Sequence, residues 1–358
     1  MRIGVLTTSY PRWPGDYAGC FVEDRVRALL GDGHDVEVLA AAPADREAPS
    51  WVATEQTVAA FDDRLRVFRL PAAVPGTAPL FYDGGAPEAL ERRDLLTYYA
   101  AARFAAGLSL ATGERAGRAG WQAVEAHWLV PSALAAAAST PHLPIRAYAH
   151  SGDVALLERL PLGRALARRL ALSGADLRFV TAELRYRFAR LAGRPVGQVE
   201  PLGPAPGVFR PRGVAPDAEA RRQLGLRAPT LLAVGRLVPI KGHAMLLRAC
   251  ARVRATMPER IPGPEVVILG DGPERLRLQR LAAELRLPLR LPGFVPRDEV
   301  AQWLRAAHLF VQPSVQLDNG RAEGAPVALA EARAVGTPVV MESDRNRLEI
   351  ALRSALTV

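Results

Sequence analysis

Residues 230–234, T-L-L-A-V, form an uninterrupted apolar run, the pattern of a strand buried on both faces of a parallel sheet. Gly235 and Gly242 bracket a short loop, and an amphipathic run at 244–257 predicts the helix that follows. The same alternation continues with strands at 265–269, 289–291, 309–312 and 338–341 and helices up to 285, at 296–306 and at 326–335. In the N-terminal half, a strand at 2–8, a helix at 21–30 stopped by Gly31 and Gly33, and a strand at 35–39 make a βαβ unit that opens a doubly wound sheet. Residues 42–85 read as loops around an edge with one short strand near 66–70, and 87–112 as a long helix. Strands follow at 121–126, 145–149, 177–181 and 196–200. The Pro- and Gly-dense stretch P-L-G-P-A-P-G-V-F-R-P-R-G-V-A-P then has no periodicity and reads as linker and hinge. These patterns predict an α/β chain of two Rossmann-like, doubly wound domains, 1–205 and 229–358, joined by a linker at 206–228 and facing a cleft.

Composition changes this picture in two places. The chain has 358 residues and a net charge of +9, but of its 46 basic residues Lys241 is the only lysine, so an Arg-rich bias accounts for much of the basicity. That weakens any case for nucleic acid and leaves anionic lipid or phosphate-bearing substrates open. Cys20 and Cys250 form no metal or redox motif, and the sequence opens on a strand and holds no long apolar span. A cytoplasmic, thiol-reduced chain with at most peripheral membrane contact is expected.

The basic loop of Arg236 and Lys241 after a buried strand is an anion-binding construction: the ammonium suits a point contact to phosphate, the guanidinium a bidentate one. His127 and His150 fall just past predicted strand ends, where open α/β sheets bind ligands, and His150 is followed by Ser151, Gly152 and Asp153. His34, His142, His243 and His308 lack that context. The first loop contains Gly19 but no G-x-G-x-x-G, which disfavours a dinucleotide site; Gly19 serves either a tight turn or the approach of a ligand to backbone amides. Residues 159–194 carry nine arginines against two acids, a solvated basic face or a membrane-docking one. Glu323 and Glu331 are separated by seven residues, the first with Gly324 immediately before a helix and the second inside that helix, about two turns from the first. A carboxylate pair of this kind can orient the hydroxyls of a sugar.

Over nearly its whole length the chain resembles the family 4 retaining glycosyltransferases of GT-B fold, through the Gly19 loop, A-H-S-G-D, V-G-R-L-V-P-I-K-G, L-G-D-G-P-E, G-F-V-P and the paired glutamates. The resemblance implies a C-terminal domain that binds a nucleotide sugar and an N-terminal one that binds a lipid-linked or polysaccharide acceptor. It places Arg236 and Lys241 on the donor diphosphate, Glu331 on the ribose, Gly324 on the nucleotide side, Glu323 on the transferred sugar, and His150 at the sugar from the opposite wall. Gly19 would border the phosphates and acceptor, with Gly272 in the nucleotide-binding loop. No D-x-D occurs, so fixed cations rather than a metal are expected to meet the charge of the departing diphosphate, and no cofactor is expected.

Beyond the strand predicted at 338–341 the family continues with a glycine-rich turn, an acidic residue, more Rossmann structure and a helix crossing back to the first domain. Here the tail reads E-S-D-R-N-R-L-E-I-A-L-R-S-A-L-T-V. The expectation is a chain short of the pattern or altered at its end, with Glu349 standing in for the usual acid and with a sheet edge and an apolar face uncovered. Two further readings keep the same ligand site: a non-catalytic nucleotide-sugar-binding subunit, and a GT-B sugar-nucleotide epimerase.

Overall fold

The computed structural model describes residues 1–13, 16, 18–43, 54–56, 63–72, 74, 80–82, 90, 95–204, 207–256, 264–317, 323 and 326–356. The chain divides into two compact units, Met1–Pro201 and Leu202–Val358.

In the first unit the order is β1 (Arg2–Leu6), α1 (Cys20–Gly31), β2 (Asp35–Ala41), β3 (Thr54–Gln56), β4 (Leu65–Leu70), α2 (Leu95–Ala119), β5 (Ala123–His127), α3 (Leu134–Ser139), β6 (Ile145–Ala149), α4 (Gly152–Arg159), α5 (Gly163–Leu172), β7 (Asp176–Phe179), α6 (Ala182–Ala192) and β8 (Gln198–Val199). The eight strands lie in the order β3-β4-β2-β1-β5-β6-β7-β8, parallel except for the antiparallel edge pair β3 and β4. Successive crossovers run outward from β1 in one direction up to β4 and in the other from β5, so the order reverses between β1 and β5. In open α/β sheets, the carboxyl ends of strands at such a reversal are where ligands bind. Ile3 and Val5 of β1 pack with Val22, Val26 and Leu29 of α1, residues of an i, i+4, i+7 stripe.

The second unit contains α7 (Ala218–Gln223), β9 (Thr230–Val234), α8 (His243–Thr256), β10 (Glu265–Leu269), α9 (Arg275–Glu284), β11 (Leu289–Gly293), α10 (Arg297–Ala306), β12 (Leu309–Gln312), α11 (Val327–Val335), β13 (Val339–Met341) and α12 (Arg345–Leu356). Its five strands are all parallel, in the order β11-β10-β9-β12-β13, with the reversal between β9 and β12. Leu231 and Ile268 face a layer containing Leu246 and Leu247 of α8 and Leu278 of α9. Leu232 and Val267 face another containing Trp303 and Leu304 of α10 and Leu329 of α11. A sheet covered on both faces is why β9 and β10 read as continuous apolar runs.

Three expectations change. Part of the segment read as linker is helical: Asp217 accepts from the amides of Glu219 (3.0 Å) and Ala220 (3.1 Å), starting α7, and Ala220 is buried in the second unit's core. The apolar face expected to lie bare beyond β13 is covered, because α12 puts Leu348 and Leu352, both fully buried, against the α8 layer. β13 remains an edge strand, with Met341 58% exposed. Glu349 is committed to that packing: it lies 3.1 Å from Arg252 of α8. Finally, the long helix of the first unit runs on past Gly113 and Gly117 and ends at Gly120, which has a left-handed φ of 65°. Of its predicted start, residues 87–89 and 91–94 lie outside the described residues.

Candidate functional site

At the carboxyl end of β9 the chain turns through Gly235, runs to a single tight turn at Pro239–Lys241, and enters α8 through Gly242. Gly242 has φ 68°, and a Cβ there would lie 1.8 Å from the carbonyl oxygen of Pro313, just beyond β12. The amide of Val315 also donates to the carbonyl of Ile240 at 2.9 Å. Only a residue without a side chain lets the two loops close in this way, and their contact across the β9/β12 reversal sets Lys241 beside the segment after β12.

There the Lys241 ammonium donates to Oε1 of Glu323. The other carboxylate oxygen accepts from the hydroxyl of Ser314 and, at 3.1 Å, from the amide nitrogen of Gln312, which also donates to Ser314 Oγ at 2.7 Å. Glu323 is thereby held on both oxygens by groups from two loops. The pair is not sealed: the side chains of Lys241 and Glu323 are 19% and 16% exposed. Charges in partial contact with water can exchange partners without the penalty of a fully buried ion.

Arg236 lies on the same loop, and its carbonyl contacts Nε2 of the buried His243 at 3.3 Å. Burial, with the Lys241 charge second, holds His243 down to about 4, so the ring is a neutral prop for the loop. Gly272, on the loop after β10, has φ 156°, and a Cβ there would lie 2.6 Å from the carbonyl oxygen of Leu237; Leu237 in turn donates to the Asp271 carbonyl at 2.9 Å. Its visible role is to let the loops after β9 and β10 interlock.

Glu331 of α11 is buried and accepts from Arg297 of α10 at 2.6 Å. α11 begins at Val327, so Glu323 precedes the helix as the sequence reading has it, and a spacing of two helical turns between the two acids does not apply. Glu323 therefore reaches Lys241 while Glu331 reaches a neighbouring helix. Gly324 lies outside the described residues.

The first unit has its own cluster at the ends of β1, β5 and β6. Gly19 caps α1 with φ 74°, and a Cβ there would lie 2.3 Å from the Ser9 carbonyl oxygen, so the close turn needs glycine. Two residues later, the ring of Phe21 packs on His150, centroids 4.7 Å apart. His150 Nε2 meets His127 Nδ1 at 3.2 Å, and His127 stacks on Tyr148 at 5.0 Å and 10°. Both histidines are buried, and desolvation takes His127 down to about 3 and His150 well below its ordinary value, so both rings are neutral. Asp153 ties the two strand ends together, accepting from the amides of Leu129 (2.8 Å), His150 (3.2 Å), Ser151 (3.1 Å) and Val154 (3.0 Å). Burial pushes its carboxyl up against these four bonds, which favour the anion.

Sequence reasoning singled out Lys241, Glu323, Arg236, His150, Gly19 and Gly272, and the structure joins Lys241 to Glu323 directly. It missed Gln312, Ser314, His243 and Arg297, and it saw Trp128 and Asp153 only as neighbours of histidines. The polar Gln312 ending the apolar strand L-F-V-Q was the one available signal among them. Among the described residues no cluster of three His, Cys, Asp or Glu side chains is placed to hold a metal, and no helix is long and apolar enough to cross a membrane.

Residues 216–352 match the family described as Glycosyl transferases group 1. A GDP-mannose-dependent alpha-(1-6)-phosphatidylinositol monomannoside mannosyltransferase of Mycolicibacterium smegmatis is 33% identical over 189 residues, 51% of this chain and 47% of that protein. A D-inositol 3-phosphate glycosyltransferase of Thermobispora bispora is 42% identical over 146 residues, 38% of this chain and 32% of that one. The chain thus matches about half the length of the first of these relatives and about a third of the second. In fold it is similar to a sucrose-phosphate synthase from Thermosynechococcus elongatus, with a TM-score of 0.71 at 20% identity over 99% of this chain and 89% of that one. Both units therefore have the α/β architecture of the GT-B glycosyltransferases, and the second carries a glycosyl transferases group 1 domain at residues 216–352.

Proposed function

We propose that this chain is a retaining, metal-independent glycosyltransferase that moves a sugar from a nucleotide sugar to a lipid-linked or polysaccharide acceptor, in the cytoplasm and in peripheral contact with the membrane. The observation that carries the reading is the half-open Lys241–Glu323 pair at the β9/β12 reversal. Cleavage of a glycosyl phosphate builds negative charge on the departing nucleoside diphosphate. Lys241, exchanging Glu323 for that diphosphate, and Arg236 on the same loop supply the compensating cations. Glu323, released from the ammonium but still held by Ser314 and Gln312, is then free to accept hydrogen bonds from the hydroxyls of the transferred sugar. Glu331 is assigned to the ribose, His150 to the sugar, Gly272 and Gly324 to the nucleotide side, and Gly19 to phosphate and acceptor, each on the resemblance.

Membrane contact is proposed from exposed basic and apolar side chains of α5, α6 and their flanks. Arg164, Arg168 and Arg169 of α5 and Arg185 and Arg190 of α6 are exposed together with Leu162, Leu172 and Tyr186, which are 69%, 72% and 61% exposed.

The test begins with thermal protection by a panel of nucleotide sugars, GDP-mannose first in view of the similarity to the mannosyltransferase, followed by transfer or hydrolysis assays with the best binder. Lys241→Ala and Glu323→Ala are expected to lower transfer by tens- to hundreds-fold while leaving the melting curve in place; wild-type turnover in either refutes the assignment. For the membrane, exchange of Arg168 and Arg169 for Glu is expected to release the protein from phosphatidylglycerol vesicles and leave turnover on a soluble acceptor unchanged. Undiminished vesicle binding rejects that reading.

A further inference from the structure

A neutral imidazole has one N–H and one lone pair, so the 3.2 Å contact between His127 Nδ1 and His150 Nε2 holds one proton and admits two arrangements. If His150 donates, the His127 proton lies on Nε2, a buried atom with no partner among the described residues, on a side chain 1% exposed and stacked against Tyr148. If His127 donates, its Nε2 carries only a lone pair, and the remaining proton lies on His150 Nδ1, which is also buried and has no partner among the described residues. Orphaned interior N–H groups are rarer and costlier than under-used acceptors. Only the second arrangement puts the orphan N–H on the loop just beyond a strand end, and not at the end of β5 on a ring stacked against Tyr148. A second buried donor without a partner lies beside it: Nε1 of Trp128, whose ring centroid is 4.8 Å from that of His150. Both residues are next to backbone that side chains rarely adopt, with φ 80° at Trp128 itself and 103° at Ser151, and Asp153 pins both turns.

We infer that His127 is a positioning residue that locks His150 in its Nδ1–H tautomer, so that His150 presents a neutral N–H donor, rather than a lone pair, to an oxygen atom of the bound ligand. This rests on the reading of His150 as a ligand contact given under Proposed function. Burial keeps both rings uncharged, which suits a hydroxyl oxygen better than a phosphate.

The test is the tautomer itself, read by long-range proton–nitrogen correlation spectra of the 15N-histidine-labelled full chain, with His150 assigned from the signals lost in His150→Asn. Nδ1 is expected to be protonated and Nε2 bare in the wild type. In His127→Phe, which keeps an aromatic ring and removes the donor, the His150 proton should redistribute toward Nε2 and turnover should fall by about tenfold. His127→Asn, whose amide N–H replaces Nδ1–H, should restore the wild-type tautomer and most of the rate. A wild-type spectrum with Nε2 protonated, or an unchanged His150 tautomer in His127→Phe, overturns the inference. Wild-type turnover in His150→Asn instead removes the ligand-contact reading, and the tautomer measurement is independent of that result.

Discussion

In the second unit Lys241 and Glu323 meet as full charges with side chains 19% and 16% exposed, whereas in the first unit His127 and His150 meet as neutral rings that are 1% and 8% exposed. Both clusters lie beyond the carboxyl ends of parallel strands at or next to a reversal of strand order, so topology alone does not distinguish them. Solvent access does. A half-open ion pair can hand one charge to an incoming phosphate, while a buried pair without a counter-charge stays neutral and can offer only hydrogen bonds. The contrast teaches that one fold, used twice, places a half-open ion pair at one set of strand ends and a buried neutral pair at the other, according to what covers them.

The sharpest way to break this contrast is to remove the charge. Lys241→Ala leaves Glu323 without its cation and, on the proposed function, a donor diphosphate without its partner. Charge-assisted hydrogen bonds contribute roughly 1.5–3 kcal/mol each, so kcat/KM should fall by tens- to hundreds-fold. The loop closure behind the pair is tested by Gly242→Ala: with φ 68° and the Pro313 carbonyl 1.8 Å from the new Cβ, denaturant unfolding should show a loss of at least about 1–3 kcal/mol.

The neutral side is sharpened by pH. His127 is held down to about 3 and His243 to about 4, from 6.5, and His150 is also lowered. Their contribution to stability is fully present above pH 6.5. It is lost as pH falls toward the folded values, because only the unfolded chain then takes up the protons, at a limit of ~1.4 kcal/mol per pH unit for each ring. Unfolding midpoints between pH 7 and 5 should fall more steeply in the wild type than in His127→Phe. The smallest effect belongs to Ser314→Ala, which leaves Gln312 and Lys241 on Glu323 and should reduce kcat/KM by about fivefold, near 1 kcal/mol.

Much of this was legible in the sequence where the signal is local. The strands Thr230–Val234, Glu265–Leu269 and Leu309–Gln312 fall where apolar runs between turn residues put them, because a sheet covered on both faces demands such runs. The single lysine between two glycines marked its loop for the same reason, since Gly242 is required by the close approach to Pro313. What was not legible depends on register between distant segments. Gln312 and Ser314 matter only because β12 lies beside β9, and Arg297 only because α10 packs near α11. Helix α12 carries a local signal: the side chain of Asp344 accepts from the Arg347 amide at 2.9 Å, and Leu348 and Leu352 are four residues apart on one face. The family pattern led elsewhere at that point.

The most direct test of the central claim, that Lys241 exchanges Glu323 for a ligand diphosphate, is calorimetric titration of GDP and UDP into wild type, Lys241→Ala and Lys241→Arg at low and moderate salt. The account predicts binding of at least one of them by the wild type that weakens with salt, a loss of about tenfold or more in Lys241→Ala, and partial retention in Lys241→Arg. Equal affinity for the bound diphosphate in wild type and Lys241→Ala would contradict it.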